Sequence, residues 1–169
     1  MNKQKLAEEV KIGENTVALV DTKFAKEINK YKWNASWDRK TGQFRANKYS
    51  SKRDGTIGMS RFVAKLAGWK IEGKYIDHIN GNTLDNRLCN LRVCTNSQNM
   101  QNSKKPNRKS SSKFKGVTWD KACNKWHATI MKEYKRYNLG YYNSEIEAAK
   151  AYNKAATQFF GGFAKVNKL

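Results

Sequence analysis

Asp77, His78 and Asn99 are the side chains of this sequence whose types, taken together, suit the hydrolysis of a phosphodiester. A carboxylate and an amide oxygen are hard ligands, fitted to a divalent ion such as Mg2+, with Mn2+ as the alternative. An imidazole takes a proton from water near neutral pH. A metal held beside it would stabilise the phosphate charge and the departing 3′ oxygen. A lone histidine is more often a satisfied surface residue. What changes the reading of His78 is its company: Asp77 before it, Asn90 and Asn99 after it, all inside YIDHINGNTLDNRLCNLRVCTNSQNMQN.

The elements expected to gather these groups are a strand, a loop, a strand and a helix. Asp77 and His78 end the first strand, and Asn80, Gly81 and Asn82 make a turn. Leu91 to Val93 reads as the second strand. Thr95 then reads as a helix cap, with Gln98 completing a capping box. Arg87 and Arg92 either clamp phosphate or pair with Asp85. Upstream, Thr16 to Asp21 reads as a strand and Thr22 to Tyr31 as a short helix with Phe24 and Ile28 on one face. Strands are expected at Gln43 to Tyr49 and Thr56 to Met59. Ser60 should cap a helix that buries Phe62, Val63 and Leu66 and stops at Gly68. Trp33 and Trp37 read as core or half-buried residues.

A boundary falls at residues 103 to 112, SKKPNRKSSS, which hold four basic residues, no acids and the only proline, Pro106. That composition buries no apolar area and reads as a linker, either lying along phosphates through Lys104, Lys105 and Arg108 or simply solvated. Beyond it, Phe114 to Trp119, Lys125 to Met131 and Lys135 to Tyr142 read as three strands. Ser144 opens a helix with a capping box to Glu147, closed by Gly161 and Gly162. Ile146, Ala149, Tyr152, Ala156 and Phe159 share one face of it. Alternation along the second strand turns Trp126, Ala128 and Ile130 toward the helix and leaves Lys125, His127, Thr129 and Met131 outward. Lys115, Thr118, Arg136 and Asn138 are the other expected outward positions.

Charge narrows the partner. The 169 residues include 34 Lys+Arg against 14 Asp+Glu, a net +20, with a pI near 10.0. Such an excess attracts polyanions, nucleic acid first and anionic membrane second. No apolar run approaches the roughly 20 residues that span a bilayer. The start of the chain, MNKQKLAEEVKIGENT, holds no apolar signal core, so the expected location is the cytoplasm, that of the host if the gene belongs to a phage. No obligate protein partner is evident. Cys89, Cys94 and Cys123 form no CxxC pair and do not match zinc spacing, so they read as free thiols.

Asp77-His78-Ile79-Asn80-Gly81-Asn82, then Asp85-Asn86-Arg87, Asn90-Leu91-Arg92 and Asn99, resemble the HNH homing endonucleases of phage and mobile introns. The segments LVD and YKW upstream resemble the lead-in of such proteins. The resemblance implies His78 as general base, Asp77 and Asn99 as ligands of one divalent ion, and Asn90 as the residue that ties the loop. A second resemblance covers residues 113 to 168. Lys115-Gly116-Val117, Trp126-His127-Ala128-Thr129-Ile130, Leu139-Gly140, Glu147-Ala148-Ala149, Ala151-Tyr152, Ala155-Ala156 and Asn167 are similar to the Apetala/ethylene-responsive-factor DNA-binding domain. That family implies a three-stranded sheet entering the major groove of double-stranded DNA. The expected class is therefore α+β: a ββα-metal nuclease module over residues 1 to 102, its core at about 75 to 102, then the linker, then a three-stranded antiparallel sheet packed on one helix over 113 to 169. The rival expectation is a non-catalytic DNA-binding protein with a remnant nuclease fold.

Overall fold

The structure, a computed structural model, describes residues 6–39, 41–52, 55–103 and 110–169. Lys104, Lys105 and Arg108 lie outside the described residues. The chain divides into two compact units, Met1–Asn96 and Ser97–Leu169.

The first unit is built from short strands and two helices. β1 (Ala7–Lys11) and β2 (Val17–Asp21) form an antiparallel hairpin. α1 (Thr22–Ile28) follows directly from β2. β3 (Asn34–Asp38), β4 (Gln43–Ser51) and β5 (Gly55–Gly58) make an antiparallel three-stranded sheet in that order. α2 (Met59–Leu66) then leads to the antiparallel pair β6 (Tyr75–His78) and β7 (Leu91–Cys94). Val10, Val20, Ile28, Trp33, Met59, Val63 and Leu91 share one buried cluster. Each fully buried aliphatic among them stabilises the unit by about 1.5–3 kcal/mol.

Two local expectations, the cap of α2 and the burial of Trp37, are corrected. The residue at the N-cap of α2 is Gly58, in extended conformation, and not Ser60, which lies inside the helix. Trp33 is buried, as its core reading expects, with its indole N–H on the Ile28 carbonyl at 2.9 Å. Trp37, by contrast, is 54% exposed and meets the edge of Phe44, 4.9 Å between ring centroids. β1 and β3 are strands that the residue pattern did not announce.

The second unit begins one residue into α3 (Asn96–Gln101), which starts right after Thr95. β8 (Val117–Asp120), β9 (Lys125–Lys132) and β10 (Lys135–Tyr142) form an antiparallel sheet with β9 central. α4 (Glu145–Phe160) packs on it, and the Ser144 hydroxyl accepts from the Ile146 N–H at 3.2 Å, the expected cap. The buried face of α4 is Ala148, Ala149, Tyr152, Ala155 and Ala156. Small side chains let the helix axis approach the strands, whose Val117, Ala128 and Ile130 fill the interface. Ile146 stays 49% exposed, outside the face expected for it. Gly116 has φ +76, and a Cβ there would run into the Tyr152 ring and lie 2.6 Å from the Thr129 carbonyl. Only glycine fits that crossing.

Candidate active site

β6 and β7 pair so that Asp77 lies opposite Arg92 and His78 opposite Leu91. Asp77 is buried, and its Oδ2 accepts from Arg92 Nε at 2.8 Å, with Arg92 Nη2 at 2.7 Å. The ion pair fixes the carboxylate's direction. Arg87 takes the other course expected of it, pairing with Asp85 through Nε and Nη2, both at 2.7 Å. That guanidinium holds the Asp85 carboxyl below its ordinary value.

The loop between the two strands is organised by asparagines. The Asn90 amide bridges it, Oδ1 accepting from the Asn80 N–H at 2.9 Å and Nδ2 donating to the Asp85 carbonyl at 2.7 Å. The Asn90 carbonyl also accepts from Ile79 at 2.8 Å. Asn80 and Asn82 close successive turns onto the N–H groups of Asn82 and Leu84. Asn90 is buried, so leaving either amide atom unpaired would cost about 1–3 kcal/mol. β2 supports the loop from outside. Leu19 donates to Leu84 and accepts from Asn86, both at 2.8 Å, while Asp21 Oδ2 accepts from the Leu88 N–H at 2.8 Å. The LVD segment thus clamps the loop that follows the Asp-His pair.

One residue of this loop was not singled out from the sequence. Asn86 is almost wholly buried, with its Nδ2 donating to the Leu84 carbonyl at 3.3 Å. Its Oδ1 therefore faces His78 Nε2, at 3.2 Å. An amide oxygen only accepts, so in the neutral ring Nε2 holds the proton and Nδ1 the lone pair. Burial pushes the His78 pKa below its ordinary 6.5, partly offset by the Asn86 hydrogen bond and by Asp77. The imidazole is thus a neutral base of fixed tautomer near pH 7. Four asparagines crowd this stretch, and no spacing tells which amide meets the ring.

The division between the units falls at the start of α3, so Asp77, His78 and Asn90 belong to the first unit and Asn99 to the second. Among the described residues, no three His, Cys, Asp or Glu side chains gather as a metal site. Cys94 is buried, which raises its thiol pKa, while Cys89 and Cys123 are exposed.

In the second unit, Thr118, Lys125, Met131, Arg136 and Asn138 are exposed and Thr129 is half-buried. Strand register sets them in cross-strand rows. Thr118 and Tyr141 flank His127, Asn138 lies opposite Thr129, and Arg136 opposite Met131. His127 stacks on Tyr141, 4.3 Å between centroids and 8° between planes, with Nε2 3.0 Å from Asn138 Oδ1. Trp126 and Trp119 meet edge to face at 5.0 Å. Lys115 is placed differently: its Nζ donates to the carbonyls of Gln101 and Ser103, each at 2.8 Å.

Comparison with known proteins bears on both units. The profile of the HNH endonuclease family matches residues 60–101. A protein of Acanthamoeba polyphaga mimivirus, named as an uncharacterized HNH endonuclease, is 33% identical over 163 residues, 93% of this chain and 78% of its own length. Protein 3.8 of Escherichia phage T7 is 40% identical over 68 residues, 40% of this chain and 55% of that protein. The APETALA2-like protein 2 of rice (Oryza sativa subsp. indica) is 44% identical over 59 residues, 34% of this chain and 13% of that protein. Identity sustained along almost the whole chain, on top of the profile match, settles the family: the chain belongs to the HNH endonucleases and is an enzyme.

Proposed function

We propose that the protein hydrolyses phosphodiester bonds of double-stranded DNA with the help of one divalent ion, Mg2+ or Mn2+, at sites chosen partly by its second unit. The observation that carries this reading is the pairing of a buried, oriented carboxylate, Asp77, with a histidine whose tautomer Asn86 holds. In the proposed arrangement, β6, β7 and α3 act as a ββα-metal module. Asp77 and Asn99 are the ligands, a donor set of hard oxygens that suits Mg2+ better than softer metals. The ion would supply charge stabilisation at the phosphate and the departing oxygen.

The protein's own part is positional and basic. His78 Nδ1 takes the proton of the attacking water while Nε2 stays on Asn86. Asn90 keeps the loop, and so the ring, in place. Arg92 keeps the Asp77 carboxylate turned to one side.

Residues 1 to 102 are the cutter in this reading, residues 103 to 112 the connection and residues 113 to 169 the reader. The exposed rows of β8, β9 and β10 would lie in the major groove, with Thr118, Thr129, Met131 and Asn138 toward bases and Lys125 and Arg136 toward phosphates. Here the support is the register of those strands together with the similarity to the rice protein.

Incubating the purified chain with supercoiled duplex DNA tests the metal dependence. Nicked or linear product should appear with Mg2+ or Mn2+, stop on adding EDTA and return with excess metal. Product formed equally well in EDTA would refute the ion's role.

A further inference from the structure

Lys115 is fixed at its backbone and extended at its tip. Its N–H donates to Asn167 Oδ1 at 2.7 Å and its carbonyl accepts from Asn167 Nδ2 at 3.1 Å. Asn167 is itself exchanged in both directions with Asn153 of α4. The residues just before Lys115 are equally anchored. Phe114 is buried in the core, Ser112 Oγ donates to Glu145 at 2.7 Å, and Ser111 Oγ accepts from the Trp119 N–H at 2.7 Å. From this post the ammonium reaches the carbonyls of Gln101, the last residue of α3, and of Ser103. The last carbonyls of a helix lack partners within it, and its C-terminal end favours a cation. Burial and the neighbouring Lys165 push the Lys115 pKa down to about 8. A half-buried cation is tolerated where strong acceptors meet it, and two carbonyls at 2.8 Å do so.

We propose that Lys115 is a positioning residue that clamps the C-terminal end of α3 to the DNA-reading unit and joins the two ends of the basic segment between them. The proposal rests on the reading of Asn99, which α3 carries, as a metal ligand and of the second unit as the DNA reader. Its consequence is that the cutter is not autonomous: the placement of the reader on DNA is passed to Asn99 through the clamp. Lys115 was expected among the outward, DNA-contacting residues. The clamp gives its charge another task.

The experiment uses the full chain with Lys115→Met and Lys115→Arg. Hydrogen exchange reports the clamp without any need for activity. The Asn102 and Ser103 amides, bonded to Gln98 and Met100, should exchange about tenfold faster in Lys115→Met. Amides of β9 should keep their protection, marking the fold as intact. Single-turnover cleavage at saturating duplex DNA should fall about tenfold or more, the size typical of lost support behind a metal ligand. The DNA dissociation constant should stay within about twofold, because no phosphate contact is removed. Lys115→Arg, which can donate to both carbonyls, should restore exchange and rate together. The opposite result would overturn the clamp: binding weakened about tenfold, a salt slope lower by about one, and unchanged exchange and saturated rate, the signature of a phosphate contact. Unchanged exchange in Lys115→Met overturns it as well. If the wild-type chain does not cut DNA, the nuclease mechanism fails while exchange still decides the clamp.

Discussion

A neutral imidazole has one proton to place, and Asn86 settles where it goes. The Asn86 amide is pinned by the Leu84 carbonyl, so only its oxygen is presented to Nε2. Asn86→Leu should therefore lower the plateau rate of DNA cleavage about 10- to 100-fold with little effect on DNA binding. The pH profile carries a second sign. Burial lowers the His78 pKa, so cleavage should rise with pH through a midpoint below 6.5 and then level off. The Asn86 hydrogen bond raises that pKa, so its loss should move the midpoint further down. A rate drop with an unmoved midpoint would make Asn86 merely structural. At this scale the sequence was readable where residue types are scarce. The chain has two histidines, and one follows an aspartate. It was unreadable where types are abundant, because Asn80, Asn82, Asn86 and Asn90 are interchangeable on paper and each makes a different bond in the fold.

Among the elements, those with a strong period or a cap were legible: β9 with its alternation, α4 with Ser144, and β6 and β7 around the asparagine loop. β1 and β3 were not. AEEVK and NASWD are short and polar, and pairing with β2 and β4 makes them strands. Glycine and serine both suit an N-cap, and the cap of α2 falls on Gly58 because β5 runs up to that residue in extended conformation. Gly116 belongs to this scale too, since it marks where β8's lead-in crosses α4. Gly116→Ala should destabilise the second unit by about 3 kcal/mol or more, combining a disfavoured φ with overpacking against Tyr152. Thermal unfolding followed by near-ultraviolet circular dichroism, which sees the tryptophans of β8 and β9, checks it. An unchanged midpoint would contradict the packing described here.

The whole molecule is a strongly basic chain with two compact units. Among the described residues no helix is long and apolar enough to cross a membrane. A net +20 means that much of its DNA affinity is counterion release, so affinity should fall steeply with salt. Lys125→Ala and Arg136→Ala, on the exposed face of the second unit's sheet, should each reduce the salt slope by about one and weaken binding to all sequences alike. Loss of sequence preference instead would place them on bases. The likeness to HNH endonucleases and to the rice APETALA2-like protein was legible from motifs in both halves. That the division falls inside α3 was not, and the bonds from Lys115 to the Gln101 and Ser103 carbonyls join residues on either side of a segment that composition marks as a linker.

Everything proposed for the first unit turns on His78 as the base of a metal-assisted DNA hydrolysis. Its most direct test is single-turnover cleavage of duplex DNA with Mg2+, at enzyme concentrations that saturate binding, by the wild-type chain and by His78→Ala. The variant should lose about 10²- to 10⁴-fold in rate with the dissociation constant unchanged. A variant that cuts at the wild-type rate would contradict it.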